Sequence, residues 1–215
     1  MVAGSFAAVL LGGNSLVVEC AELLLRQGHR VVGLVSGDPA VRHWGHERDV
    51  PTAGFGPGWA DVVASWRYDH LFSVANLRMV PDAVLASCPG LAVNFHDALL
   101  PRGAGVHAAT WAVADRVPMH GVTWHVMTGE PDAGDVLVQE EVPVHPDDTS
   151  WSLNVRCWQA GLASFGRLVD RLAGGRCPRR RGRPPYLRRG PRRRRRPGPR
   201  PGDRRRWRAN PFRVE

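Results

Sequence analysis

Asn94 and His96 stand two positions apart at the end of an apolar run, and a carboxylate, Asp132, follows the imidazole by 36 positions inside the turn Pro131-Asp132-Ala133-Gly134-Asp135. In an extended strand, residues two apart point to the same side, so the amide and the imidazole can face one ligand together. An amide N–H can hold a carbonyl or a developing oxyanion. A neutral imidazole can take a proton from an attacking amine, and an imidazolium can stabilise the oxyanion. A carboxylate beside the ring orients it and can fix a water for proton relay. GxSxG is absent, so there is no nucleophile elbow, and direct transfer is favoured over a covalent intermediate. Taken singly, Asn94 and His96 could simply end a strand and Asp132 could simply serve its turn. The combination is what points to chemistry.

The elements that must position these groups follow from periodicity. The run 6–11 is apolar and stops at Gly12-Gly13-Asn14-Ser15, which reads as a strand, a turn and a helix capped by Asn14 or Ser15 and closed near Gly28. GxGxxG is absent, and any strand-to-helix turn favours Gly, so the Gly pair alone does not make a phosphate site. Further strands are expected at 31–35, 71–74 and 91–95, with helical segments from Asp38-Pro39, at 59–67 and at 82–86. His43, Trp44 and His46 read as surface residues. This alternation gives an α/β fold, a Rossmann-like and mostly parallel sheet with helices on both faces. Residues 76–81 follow the carboxyl end of a strand, the usual place for ligand contacts. Residues 100–105 form a loop, and a helix is expected over 106–114. Val122, Trp124 and Val126 alternate with polar neighbours, and a second strand-like run covers 136–144, so the turn holding Asp132 can return it to the strand end. Asp148-Thr149-Ser150 caps a last helix with Leu153, Cys157, Gly161, Ser164, Leu168 and Leu172 on one face.

The 215-residue chain is long enough for one domain with a substantial core, over residues 1–175. Its net charge of +9 is unevenly spread. Residues 176–215 hold 18 Arg against Asp203 and Glu215, so the preceding part is mildly acidic. Every basic residue is Arg, which suggests a GC-rich coding sequence more than any partner. The four Cys form no CxxC and no Cys/His cluster, so neither a metal site nor a disulfide framework is expected, and a reducing, cytoplasmic setting is. No apolar run approaches the ~20 residues of a membrane span, and the N-terminus lacks the charged region of a signal peptide.

The joint motif resembles a family. Asn94-x-His96, then Leu99-Leu100-Pro101 and Gly105, then Gly121-Val122-Thr123-x-His125, then Asp132-x-Gly134-Asp135, is similar to the 10-formyltetrahydrofolate-dependent formyltransferases over about residues 6–173. The resemblance implies the formyltransferase fold and, as catalytic groups, Asn94, His96 and Asp132. It implies 10-formyltetrahydrofolate as formyl donor, held between Leu77, Arg78, Met79 and Val80 on one side and Met127, Thr128, Gly129, Glu130 and Asp132 on the other. It also implies a substrate loop with Pro101, Gly103, Gly105 and His107. A substrate amine would attack the formyl carbon, with Asn94 and protonated His96 holding the oxyanion and Asp132 acting through a water.

For the acceptor, Cys20-Ala21-Glu22-Leu23-Leu24, Asn76-Leu77-Arg78 and Asn94-Phe95-His96-Asp97 look closest to formyltransferase domains of nonribosomal peptide synthetases. The implied acceptor is then an amino acid, free or bound to a carrier protein, in natural-product biosynthesis. Those domains tend to carry an aromatic at the position of Gly103 and Asn at that of His107. The other acceptors in the family are an amino sugar, glycinamide ribonucleotide and methionyl-tRNA; a formyltetrahydrofolate hydrolase would pass the group to water. No membrane partner is expected, and nucleic-acid contact only through the Arg-rich tail.

The tail itself has three readings: a disordered Arg/Pro-rich segment, a nucleic-acid-binding arm, or the product of a shifted reading frame. The abrupt break straight after a well-formed helix favours the third. Translating the gene in its other two frames past Gly175 should then yield a continued apolar periodicity; its absence from both would exclude the shift.

Overall fold

The computed structural model describes residues 4–177. The reading of the Arg-rich tail as disordered or frame-shifted concerns residues that lie, beyond 177, outside that range. In chain order the elements are β1 (Ala7–Gly12), α1 (Ser15–Arg26), β2 (Arg30–Val35), α2 (Pro39–Glu47), β3 (Thr52–Ala53), α3 (Trp59–Ser65), β4 (His70–Val74), α4 (Asp82–Ser87), β5 (Ala92–His96), α5 (Ala108–Ala114), β6 (Met119–Val126), β7 (Val136–Pro143) and α6 (Ser150–Ala173). The sheet has seven strands in the order β3-β2-β1-β4-β5-β6-β7. The five from β3 to β5 run parallel, while β6 and β7 are antiparallel to their neighbours.

Alternate side chains of the strands feed two cores, one on each face. Ala8, Leu10, Phe72, Val93, Phe95 and Trp124 point toward the helices α1, α5 and α6. Ala7, Val9, Leu11, Leu71 and Ala92 point toward α3 and α4. The near-continuous apolar run of β1 is what a strand buried on both faces requires. Trp124 is fully buried; its indole N–H donates to the Gly161 carbonyl at 3.2 Å and the Ser164 hydroxyl at 3.0 Å. That contact anchors β6 to α6. Gly161 has no room for a side chain, since a Cβ there would come within 2.5 Å of the Phe95 ring.

Two details depart from the sequence expectation. α5 begins at Ala108 rather than near 106, because Gly105 and His107 both take positive φ, 105° and 63°. β3 was invisible, since a two-residue strand has no period to read. Among the described residues, no helix is long and apolar enough to cross a membrane.

The start of α6 is fixed by a polar knot. Thr149 and Ser152 form a reciprocal capping box. Asp148 accepts from Arg156 Nη1 at 2.8 Å, from Arg156 Nη2, from the Ser152 hydroxyl at 2.7 Å and from the His145 amide at 2.7 Å. The Arg156 guanidinium, helped by Ser152 and His145, holds the Asp148 carboxyl well below the usual carboxylate range. A carboxyl whose pKa is depressed by folding stabilises the fold above its unfolded value of ~4 and ceases to do so as pH falls through its folded value. Asp148→Asn should therefore cost roughly 1–3 kcal/mol at neutral pH. The gap between wild-type and mutant melting temperatures, followed from pH 7 down to pH 2, should shrink with acidification.

Candidate active site

The site lies where β1, β4 and β5 end, on the carboxyl side of the parallel strands, with α1, α5 and α6 presenting their amino ends nearby. Asn94 and His96 point to the same side of β5, and Phe95 between them points into the core. The reversal of direction at β6 places His125 directly opposite Asn94, and Thr123 opposite His96. Opposed side chains in an antiparallel pair stand close enough to touch. Asn94 Nδ2 and His125 Nε2 are accordingly 3.2 Å apart. His125 Nδ1 donates to the Val126 carbonyl at 3.0 Å, which leaves Nε2 to accept from the Asn94 amide. Burial pushes the His125 pKa down, partly offset by the Val126 carbonyl and the Asp132 carboxylate, so the neutral ring is favoured.

Asp132 reaches the same place from the β6–β7 turn. It sits at φ 56°, and the turn closes by a bond from the Val126 amide to the Asp135 carbonyl at 2.9 Å. Gly134 is required there: a Cβ would lie 1.7 Å from the Val126 carbonyl oxygen. Asp132 Oδ1 is 3.5 Å from His96 Nδ1 and 3.7 Å from His125 Nε2, and its other oxygen accepts from the Gly105 amide at 2.8 Å. His96 Nε2 donates to the Gly103 carbonyl at 2.9 Å. Both ring nitrogens of His96 thus face oxygens, and Nδ1 is where a proton would be held against Asp132. All three predicted groups converge, with side chains of His96 and Asp132 only 8% and 13% exposed.

The loop between β5 and α5 is held from below. Thr123 donates its hydroxyl to the Ala98 carbonyl at 2.6 Å and receives the Leu100 amide at 3.1 Å. Gln139 donates to Thr123 at 2.9 Å and to the Leu100 carbonyl at 2.9 Å. The Leu100-Pro101 peptide is cis.

A cavity of about 590 Å³ opens beside these groups. Leu77, Arg78, Met79 and Val80 line it, as do Met127, Thr128, Glu130 and Asp132. Asn76 shapes the first of these walls, accepting the Arg78 amide at 3.0 Å and donating to the Arg78 carbonyl at 3.1 Å. The Arg78 guanidinium lies 5.3 Å over the Phe55 ring. Gly105 and His107 also line the cavity, whereas Pro101, Gly103 and Gly129 do not; Gly103 meets the site only through its carbonyl. Residues that sequence reasoning passed over are His125, whose place in the motif was noted without a role, and Asn14, Ser73, Thr110, Trp151, Asn154 and Trp158 on the walls. Among the described residues, no group of three His, Cys, Asp or Glu could hold a metal ion.

The formyl transferase family matches residues 36–167, more than half of the chain. The chain belongs to the formyl transferase family. Curated relatives of this chain include the methionyl-tRNA formyltransferase of Geobacter sulfurreducens, 24% identical over 80% of this chain and 59% of its own length. That of Koribacter versatilis is 34% identical over 50% of this chain and 34% of its own. The chain thus spans from about a third to under two thirds of the length of these relatives. Among solved structures, glycinamide ribonucleotide transformylase 1 from Symbiobacterium toebii shares the fold with a TM-score of 0.74 at 22% identity, covering 80% of this chain and 89% of that one. A formyltetrahydrofolate deformylase from Pseudomonas putida also shares it, with a TM-score of 0.64 at 20% identity, covering 77% of this chain and 64% of that one.

Because one oxygen of Asp132 carries the Gly105 amide, Asp132→Ala should release the loop at 103–107. Hydrogen exchange at the Gly105 amide should speed up clearly, while amides of β1 and β4 keep their protection. Unchanged exchange at Gly105 would show that the carboxylate does not hold the loop.

Proposed function

We propose that this member of the formyl transferase family moves a formyl group from 10-formyltetrahydrofolate to a primary amine, through Asn94, His96 and Asp132. The observation that carries the reading is the convergence of these three side chains, from two distant segments, on one wall of one cavity. The cavity suits the donor: Leu77, Met79, Val80, Met127 and Pro131 give its two loop walls apolar surface, and Arg78, Thr128, Glu130 and Asp132 add polar groups, which fits a flat heterocycle read on its edges. When bound, the folate would supply the activated one-carbon unit.

The protein's own groups divide the remaining work. The Asn94 amide, held by His125, donates toward a carbonyl oxygen at the strand end. His96, oriented by the Gly103 carbonyl, holds or moves a proton at Nδ1. Asp132 sets the direction of that proton and fixes the loop that shapes the approach of the amine. The donor contacts assigned to Gly129 and the acceptor contacts assigned to Pro101 and Gly103 would have to be made indirectly.

For the acceptor we favour the α-amine of an aminoacyl group, carried by a free amino acid, a carrier protein or tRNA. The curated relatives are named for methionyl-tRNA, which presents such an amine. Several solved relatives in fold are named for glycinamide ribonucleotide, whose phosphate calls for cationic or open N–H partners. Here Arg78 is the only Arg among the described residues lining the cavity, and it is stacked over Phe55. Asn14 fills part of the α1 amino terminus itself, accepting the Leu16 amide at 3.0 Å.

The test is consumption of 10-formyltetrahydrofolate against a panel of amino acid amides, methionyl-tRNA, glycinamide ribonucleotide and nucleotide-linked amino sugars. His96→Ala and Asp132→Ala should each lower kcat by roughly 10²–10⁴-fold, and Asn94→Ala by roughly 10²–10³-fold, with circular dichroism unchanged. Near-normal kcat in these variants would remove the mechanism. Formate release without any amine product would replace transfer by hydrolysis.

A further inference from the structure

Apart from its core face, α6 carries a second stripe. Trp151, Asn154 and Trp158 fall at i, i+3 and i+7, which puts them on one side of the helix, and all three line the cavity. The two indoles meet edge to face, with centroids 5.9 Å apart and planes at 81°. Trp151 is 56% exposed and lines the cavity, so its indole is open to a ligand there. Trp158 packs against the edge of the core. Between them the Asn154 carbonyl oxygen is shut off from solvent and has no hydrogen-bond partner. Ala109, Thr110 and Ser150 complete this wall, and none of its six residues is charged.

We infer that this face of α6 is a subsite for an acceptor's apolar side chain. Trp151 and Trp158 hold a bulky, preferably aromatic group beside the polar groups that line the same cavity. The inference rests on the formyl-transfer reading for the word acceptor, but the binding itself does not depend on turnover. It selects α-aminoacyl amides with large apolar side chains over glycyl compounds.

Calorimetric titration of the full chain with L-phenylalaninamide, glycinamide and L-phenylalanine methyl ester separates the contributions. The first two differ only by a benzyl group, and the ester lacks the amide N–H. Phenylalaninamide should bind at least about 10-fold more tightly than glycinamide, the scale expected for one aromatic group in an indole pocket. Trp151→Ala and Trp158→Ala should erase that preference, and Trp158→Phe should keep most of it. L-phenylalanine methyl ester should bind about as tightly as phenylalaninamide, because the indoles read the side chain and not the acyl substituent. Trp151 lies at the surface, so its variant decides the matter even if Trp158→Ala fails to fold. Equal affinity for the two amides in the wild type, or an intact preference in Trp151→Ala, overturns the subsite. Formyl transfer that proceeds with the acceptor KM unmoved by these substitutions also overturns it, while leaving the formyl-transfer reading in place. A tryptophan-dependent preference without any formyl transfer keeps the subsite and removes that reading instead.

Discussion

The Asp132 carboxylate is the point on which the site's geometry depends. One of its oxygens holds the Gly105 amide and so the loop leading into α5; the other faces His96 and His125 at once. A carboxylate with so little exposure is held by the Gly105 amide, and a proton at His96 Nδ1 would add a second donor. The arrangement is mutual. The loop needs the carboxylate to keep Gly105 and His107 at positive φ, and the carboxylate needs the loop amide to remain in a poorly hydrated place. An amide, two imidazoles and a carboxylate become one connected group, in which the position of each is set by another member.

The connection exists because the sheet changes direction once. α5 joins β5 to β6 as it would in a parallel pair, but β6 enters the sheet in the opposite direction. With β6 antiparallel, Asn94 faces His125 across a single strand gap, and the β6–β7 turn, which starts beside Ala92 and Val93, folds back along the face of β5 to bring Asp132 to His96. Trp124 secures this register: its ring lies on the core side against Phe95 and Phe165, so a slip by one residue would turn the indole out and His125 into the core. Core packing on one face of β6 therefore fixes polar chemistry on the other.

Much of this was legible in the sequence. The alternation of apolar runs and capped helices yields the α/β layout, and the resemblance carried by Asn94, His96, Asp132 and Gly134 yields the family. What was not legible has physical reasons. His125 reads as the polar half of an alternating strand, and nothing in the local pattern says that its face is closed over. Pro101 and Gly103 stand inside the motif, yet neither lines the cavity, and Gly103 reaches the site only through its carbonyl, which only the backbone conformation reveals. The α5 boundary depended on two positive φ values, one of them at a histidine that no propensity would mark.

The stripe on α6 was missed for a different reason. A helix read for its core is read for one face, and Leu153, Cys157, Gly161, Ser164, Leu168 and Leu172 satisfy that reading completely, every one buried. Trp151 and Trp158 then look like surplus hydrophobicity on the solvent side. They sit on the first turns, directly after a helix start that Asp148, Arg156 and the capping box lock in place. A helix end held this firmly presents its outer side chains at fixed positions, which a binding wall requires and a merely solvated face does not. The same helix thus closes one core through its inner face and borders the cavity through its outer one. The two walls beside Asn94, His96 and Asp132 differ in kind: the loops at 76–80 and 127–132 bring charged and polar side chains, among them Arg78, Thr128 and Glu130, whereas the α6 wall brings flat, uncharged ones. That division separates a side of the cavity able to hydrogen-bond from one that mainly packs.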